Sequence, residues 1–158
     1  MHRVLKEAVE VYRLGDNAGR YPVFSDEGAK RVQGRWHEAG QEVVYACVRY
    51  STALLEKLVH LGVMPAGTHF IEITLPVGTS YEEVTEAAVP GWYEEDGAKA
   101  RGFGRQWYSE QRSCLLFVPS VVARLDQNVL INTRHPDFAK ICHSREKPVW
   151  WDDRLFAP

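Results

Sequence analysis

Three residues suited to binding and acting on an anionic small molecule lie close together in the first half of the chain. Arg35 belongs to a Gly34-Arg35-Trp36 loop, Tyr45 lies in an apolar segment, and Glu56 lies in a helical segment. A planar guanidinium can donate to two oxygens of a phosphate at once, and a carboxylate can stabilise positive charge that develops during a reaction. Together these residue types indicate a pocket for an anionic small molecule.

Arg13 is a fourth candidate because of the strand that carries it. Residues 9–14 alternate between apolar and polar side chains and then reach a Gly-Asp-Asn turn, which predicts a first strand. If Val9 and Val11 face the core, Arg13 faces it as well. An unpaired buried charge is costly, so Arg13 needs an anionic partner, either Glu56 or a ligand.

The elements that must position these residues follow from hydrophobic periodicity and from glycine and proline. Short apolar or alternating runs predict strands, and residues 15–42 and 76–106 are predicted to be mainly loop. Many short strands with few short helices indicate an α+β domain whose sheet is mostly antiparallel and either curved or split. The predicted strands are residues 9–14, 43–48, 70–75, 114–118, 121–125, 129–132 and 149–151, the predicted helices are 51–61, 105–112 and 136–142, and weaker turns are predicted near 26–32 and 81–86.

The helix predicted at residues 51–61 carries Glu56 and is capped by Ser51 or Thr52. A stripe of leucine and valine covers one side of this helix. With about 3.6 residues per turn, Glu56 points away from that stripe and His60 lies beside it. Judged by this position alone, Glu56 is an exposed carboxylate on the helix surface.

Size and charge narrow the class of protein. The chain has 158 residues, of which 45% are apolar and 25% are charged, which fits one domain spanning residues 1–158. Its net charge of −2 and pI near 6.3 argue against direct binding to nucleic acid, which requires a basic surface. No apolar run approaches the ~18 residues of a membrane span, and no signal peptide is recognisable. These features predict a soluble, cytoplasmic protein without membrane contact.

Cysteine and histidine spacing argues against disulfide bonds and metal sites. The three cysteines, Cys47, Cys114 and Cys142, show no Cys-x-x-Cys spacing, and the first two lie in apolar segments where a thiol acts as a small core residue. The six histidines are scattered without a recognised metal-binding pattern. Neither a disulfide framework nor a metal is therefore expected.

Six motifs lie in a fixed order along the chain: Val11-Tyr12-Arg13, Gly34-Arg35-Trp36, Val44-Tyr45, Thr52-Ala53-Leu54-Leu55-Glu56, the segment from Ser113 to Ser120, and Asn128-x-Leu-Ile-Asn132 followed by His135-Pro136-Asp137. In this order, from about Val11 to Asp153, they resemble the RES-domain family, which is named for its Arg, Glu and Ser and supplies the toxins of bacterial Xre–RES toxin–antitoxin modules. The chain departs from the family pattern at His37-Glu38, where Asn-Pro often follows Gly-Arg-Trp.

The resemblance implies a fold similar to ADP-ribosyltransferases and a reaction on NAD+, which is a substrate here and not a cofactor. The enzyme would break the nicotinamide–ribose bond and pass ADP-ribose to a protein, to water or to phosphate. Glu56, Arg35 and Tyr45 match the family's catalytic positions. The implied NAD+-binding residues are Arg13, Arg35, Tyr45, Asn132 and a serine, for which the spacing favours Ser113 over Ser120.

A partner protein is implied as well. A free NAD+-consuming enzyme would harm its own cell, so the resemblance implies an Xre-type antitoxin that covers the pocket and supplies the DNA-binding domain. Trp92, Trp150 and Trp151 are candidates for such an interface, with core packing as an equal alternative.

Two other functions compete with this one. A serine hydrolase would combine a serine, a histidine and Asp152 or Asp153, but the chain has no Gly-x-Ser-x-Gly elbow. A non-catalytic module for binding a partner, with a vestigial pocket, belongs to another class. The presence of both Arg35 and Glu56 argues against a vestigial pocket.

Overall fold

One large sheet with short helices on it forms the α+β fold that the sequence predicts. The computed structural model describes residues 3–61 and 63–156, and the bounds below refer to that part of the chain. The strands are β1 Arg3–Val4, β2 Val9–Asp16, β3 Val43–Cys47, β4 Thr68–Leu75, β5 Ser80–Glu83, β6 Leu115–Pro119, β7 Gln127–Asn132, β8 Cys142–His143 and β9 Lys147–Pro148. The α-helices are α1 Glu27–Arg31, α2 Tyr50–Leu61 and α3 Ala98–Ser109, and 3-10 turns occur at Glu86–Ala88, Pro136–Lys140 and Asp153–Leu155.

The strands join in the order β1-β5-β6-β7-β3-β2-β4-β8, and β9 also pairs with β4. Within the described residues, β5 and β6 are parallel and every other pair is antiparallel, as expected. Strand β2 pairs with β4 along its whole length, whereas its ladder with β3 has a single paired position, Tyr12 with Cys47. The sheet is therefore split open between β2 and β3, directly beside Arg13 and Tyr45.

Both faces of the sheet centre are buried, which explains the continuous apolar sequence of β6. Successive residues of this strand belong to two separate core clusters, with Leu115 in the first and Leu116 in the second. The first cluster also contains Val11, Ile71 and Ile131. The second cluster is built around three tryptophans, Trp36, Trp92 and Trp107, which are at most 3% exposed.

The tryptophans considered for an interface divide between core and surface. Trp92 is buried and its ring stacks on that of Trp36, so it belongs to the core. Trp151 is also buried and packs edge-on against Phe156. Trp150 alone of the three is exposed, at 79%.

Helix α2 lies on the sheet with a different face inward from the one predicted. Its buried residues are Thr52 and Ala53, whereas Leu55 and Val59 of the apolar stripe are exposed. Thr52 does not cap the helix but donates its hydroxyl to Asp126 Oδ2 at 2.6 Å. This contact turns Glu56 towards the sheet, so Glu56 is not the exposed carboxylate that its position on an isolated helix indicates.

Three stretches between the central strands differ from the prediction. Residues 81–86 were predicted as a helical turn, but Ser80–Glu83 forms a polar strand at the sheet margin. Helix α3 begins at Ala98, well before the predicted start at residue 105. Its first half was not predicted because Gly102 and Gly104 lower the helix propensity of this segment. Residues 121–125 form a turn closed by Ser120 N–H donating to Asp126 O at 3.0 Å.

Near the C-terminus, residues 149–151 are not a strand, because the last ladder with β4 ends at Pro148. The predicted helix at 136–142 is a 3-10 turn, Pro136–Lys140.

Two of the three cysteines lie in the core. Cys47 and Cys114 are buried as predicted, and Cys142 is exposed. In the described residues, no group of three or more His, Cys, Asp or Glu side chains could hold a metal ion. Nor does any helix there have the length and apolar character to cross a membrane.

Candidate active site

A two-lobed cleft lies where the sheet splits, between α2, the Gly34-Arg35-Trp36 loop and the N-terminal half of α3. The smaller lobe has a volume of about 350 Å³ and the larger about 580 Å³, which is in the usual range for small-molecule sites. Four residues line both lobes: Tyr45, Glu56, His60 and Asn128. Their position makes the junction of the lobes the centre of the site.

Glu56 is held at this junction by two donors. Ser120 Oγ and Asn128 Nδ2 each donate to Glu56 Oε1 at 3.0 Å. Ser120 directly follows the last residue of β6, and Asn128 is the second residue of β7. The turn that joins these two strands therefore brings both donors under α2. The carboxylate is thereby fixed in one orientation before any ligand arrives.

Asn128 has a further unusual feature. Its Oδ1 atom is buried and has no hydrogen-bond partner, although a buried polar atom without a partner is rare in folded proteins. This energetically unfavourable atom lies at the centre of the cleft, in the same side chain that donates to Glu56. Asn128 therefore belongs to the candidate site, although only Asn132 of the same motif was predicted to do so.

Arg13 reaches into the gap between β2 and β3. Its Nε donates to Val23 O at 2.6 Å and its Nη1 donates to Tyr45 O at 2.8 Å. These carbonyls, and not Glu56, satisfy the guanidinium, and burial lowers the pKa of Arg13. The smaller lobe is lined by Arg13, so a ligand can still meet its positive charge.

Cys47 lies on the wall of the smaller lobe and is not a nucleophile. Burial, and after it the nearby charge of Glu56, raise the pKa of the Cys47 thiol to about 12. A neutral thiol is a poor nucleophile. Covalent catalysis by this cysteine is therefore not indicated.

Tyr45 organises the loop that carries Arg35. Its hydroxyl accepts from Trp36 N–H at 3.2 Å and lies 2.7 Å from His37 Nδ1. Nδ1 also accepts from Gly34 N–H at 3.1 Å, and Nε2 lies 3.0 Å from Ala29 O. These partners assign the proton to Nε2, so the Tyr45 hydroxyl donates to Nδ1.

The departure from the family pattern at His37 therefore has a structural role. His37 is 3% exposed, and burial lowers its pKa, which keeps the ring neutral and Nδ1 free to accept. Burial likewise raises the pKa of Tyr45. A Cβ atom at position 34 would lie 2.6 Å from the Tyr45 hydroxyl oxygen, which explains the glycine of the motif.

Arg35 and a second arginine line the larger lobe. Arg35 Nη1 donates to the carbonyls of Trp92 and Glu94, at 2.9 and 2.7 Å. On α3, Arg101 Nε donates to Gly34 O at 3.1 Å and Nη2 to Asp96 O at 3.0 Å. Both guanidiniums are held by backbone carbonyls on the wall of the larger lobe.

Two predicted residues, Ser113 and Asn132, neither line the cleft nor contact Glu56. Ser113 is buried, accepts from Trp107 Nε1–H at 2.8 Å and donates to Leu115 O at 2.7 Å, which are structural contacts. Asn132 is buried at the far end of β7, where its side chain contacts Gln111 and the Arg134 N–H. The preference for Ser113 over Ser120 does not agree with these positions, because Ser120 is the serine that contacts Glu56.

The serine hydrolase alternative gains no support from the geometry. Ser120 donates to Glu56, Ser113 donates to a backbone carbonyl, and Asp152 pairs with Arg154 at 2.7 Å. These contacts leave neither serine in the arrangement that a serine–histidine–aspartate triad requires.

Comparison with known proteins agrees with the sequence motifs. A family model described as RES domain matches residues 10–152. A protein named Prs ADP-ribosylating toxin from Sphingobium sp. (strain YBL2) is 39% identical over 153 residues, covering 91% of this chain and 94% of that protein. A protein named Toxin Res from Pseudomonas putida is 35% identical over 140 residues, covering 86% of this chain and 94% of that protein.

The fold has a solved counterpart. The crystal structure of the M. tuberculosis MbcT–MbcA toxin–antitoxin complex matches with a TM-score of 0.75 at 13% identity, covering 97% of this chain and 89% of that chain. At this identity the match concerns the fold alone. The family model and the two relatives, which span nearly the whole chain, go further: the chain belongs to the RES domain family.

Proposed function

We propose that this protein is the toxin of a bacterial toxin–antitoxin module and that it consumes NAD+ by breaking the nicotinamide–ribose bond. The observation that carries the proposal is the Glu56 carboxylate, held by Ser120 and Asn128 at the junction of a cleft that arginines line. The names of the two relatives, an ADP-ribosylating toxin and a Res toxin, support the same function.

The chemistry suits the residues present. Nicotinamide leaves from a cationic pyridinium, so bond cleavage needs no strong general acid. It needs stabilisation of the oxocarbenium-like ribose, and a fixed carboxylate such as Glu56 supplies the required negative charge, as in glycoside hydrolysis. Because two hydrogen bonds already hold Oε1, little reorganisation accompanies the reaction.

The two lobes suggest how NAD+ lies in the cleft. The ribose next to nicotinamide would lie at Glu56, and the pyrophosphate would lie in the larger lobe beside Arg35. Nicotinamide would lie in the smaller lobe, against the rings of Tyr12 and Tyr45. This arrangement places the bond to be broken at the junction, where the carboxylate is.

The acceptor of ADP-ribose is proposed to be a protein. The name of the Sphingobium relative, which is 39% identical to this chain, states that it ADP-ribosylates Prs. The exposed residues Val121 and Glu95 border the larger lobe, so an acceptor side chain could approach the ribose from that side. Water and phosphate are the competing acceptors.

The experiment that tests this function uses two labelled forms of NAD+. We expect purified protein to release labelled nicotinamide, and we expect label on the adenylate half to enter one protein of a lysate, or purified Prs from the same host. Release of nicotinamide with no labelled protein would identify water or phosphate as the acceptor. If neither label moved, alone or with lysate, the alternative of a non-catalytic binding module would hold.

We also propose an antitoxin partner of the Xre type, which would bring DNA binding to the complex. Exposed apolar side chains on and just after α2 support a partner: Leu55 and Val59 lie on the helix, Val63 and Met64 follow its end, and all four are more than 40% exposed. We expect the antitoxin encoded next to this protein to copurify with it and to suppress nicotinamide release. Separate elution of the two proteins, with full activity, would contradict the proposal.

A further inference from the structure

Half-buried arginines of the described chain divide into two kinds. Arg112 forms ion pairs with Glu82 and Glu110, at 2.9 and 3.1 Å. The other three are Arg13, Arg35 and Arg101, which donate to backbone carbonyls and form no ion pair within the described residues. A half-buried charge without a counter-ion is costly, and all three lie on the cleft. The cleft therefore has an excess of positive charge that a ligand can neutralise.

Arg101 is the member of this group to which neither the motifs nor the relatives assign a role. It projects from the first turn of α3 into the larger lobe, where Arg35 lies on the same wall. Gly97 begins the helix with a φ of 65°, and a Cβ there would lie 3.1 Å from Arg101 Nη2 and 3.7 Å from the Arg35 backbone. The two arginine-bearing segments are thus packed directly together.

We propose that Arg101 is a substrate-binding residue that forms, with Arg35, a two-arginine clamp for the pyrophosphate of a dinucleotide. This inference rests on the proposed function, since it places the pyrophosphate of NAD+ in the larger lobe. Two guanidiniums match the two negative charges of a pyrophosphate, and each fork can donate to oxygens that point into the lobe. Their bonds to carbonyls hold the forks in position without neutralising them.

The next arginine on α3, Arg105, lies outside the proposed clamp. Arg105 lies one turn further along the helix, is exposed, and pairs with Glu38 at 3.3 Å. It does not line either lobe. Substituting Arg105 removes the same charge from the same helix without changing the proposed clamp, so Arg105→Gln is the matched control for Arg101→Gln.

The test measures binding of inorganic pyrophosphate and of ADP-ribose by calorimetry, together with NAD+ turnover. We expect Arg101→Gln to weaken both ligands by about tenfold or more, the loss of one charge-assisted hydrogen bond, and to raise KM for NAD+ much more than it lowers kcat. Arg105→Gln should bind both ligands like the wild type. Equal binding of pyrophosphate by Arg101→Gln and the wild type would overturn the clamp.

A conservative variant, Arg101→Lys, tests whether Arg101 acts by binding the pyrophosphate or only by supporting the Gly34 loop. If Arg101→Gln fails to fold, Arg101→Lys retains the charge but loses the fork, and we expect it to keep part of the pyrophosphate affinity while raising KM for NAD+. A fall in kcat with unchanged KM and unchanged pyrophosphate binding would show that Arg101 only supports the Gly34 loop. Pyrophosphate binding that depends on Arg101 without any NAD+ turnover would retain the clamp and reject the proposed function. NAD+ turnover, with pyrophosphate binding that does not depend on Arg101, would retain the proposed function and reject the clamp.

Discussion

Glu56→Gln is expected to lower the rate of nicotinamide release by about 100-fold or more, comparable with the loss of a preorganised electrostatic group elsewhere. Glutamine keeps the shape of the side chain, and its amide oxygen can still accept from Ser120 and Asn128, which now donate to Glu56 Oε1. The substitution therefore removes the negative charge and little else. Rate constants for labelled NAD+ measure the effect.

A control variant of another carboxylate and two serine variants test whether the loss of turnover is specific to Glu56. Glu83→Gln, on an exposed carboxylate at the end of β5, should leave turnover at the wild-type rate. Ser120→Ala should cause a smaller loss than Glu56→Gln, because Asn128 still holds the carboxylate. Ser113→Ala, which removes a contact with Trp107, should act on stability instead. Turnover by Glu56→Gln within threefold of the wild type would remove Glu56 from the mechanism.

Gly104→Ala is expected to destabilise the fold by about 3 kcal/mol or more, which is severe for one methyl group. A Cβ at position 104 would lie 1.7 Å from Trp36 O, a backbone atom that cannot rotate away. Either α3 or the Gly34-Arg35-Trp36 loop must shift to admit it. Because that loop carries Arg35, we expect the folded fraction to bind NAD+ poorly as well.

Gly102 on the same helix provides the matched control. A Cβ there meets nothing within 4 Å, so Gly102→Ala should stabilise the protein by about 0.5–1 kcal/mol through helix propensity. Urea unfolding of both variants measures the two effects, which are expected to have opposite signs. A stabilising effect of Gly104→Ala would show that α3 does not pack against Trp36 as described.

Much of the central sheet was predictable from the sequence, because its strands are continuous apolar runs or clean alternations. Residues 9–14, 43–48 and 70–75 are strands within one or two residues of the predicted limits. The marginal elements were not predictable. Strand β5 is polar and short, and α3 contains the two glycines that ordinarily argue against a helix.

The orientation of α2 shows why a local pattern can mislead. The leucine and valine stripe predicts the buried face of an isolated amphipathic helix, but the Thr52 hydroxyl bound to Asp126 turns another face to the sheet. Asp126 is far from Thr52 in sequence, so no local period contains this contact. The result exposes the apolar stripe for a partner and brings Glu56 into the cleft.

By itself the sequence determined the α+β class, the central strands and the motifs that carry the family, and it named Arg13, Arg35, Tyr45 and Glu56 as candidates for the site. Only the tertiary structure decided which residues meet. It brought Ser120 and Asn128 to Glu56, left Ser113 and Asn132 elsewhere, and added His37 and Arg101 to the site. The physical reason is that strand pairing and helix packing join residues far apart in the chain, and the hydrogen bonds that complete the site form only across those contacts.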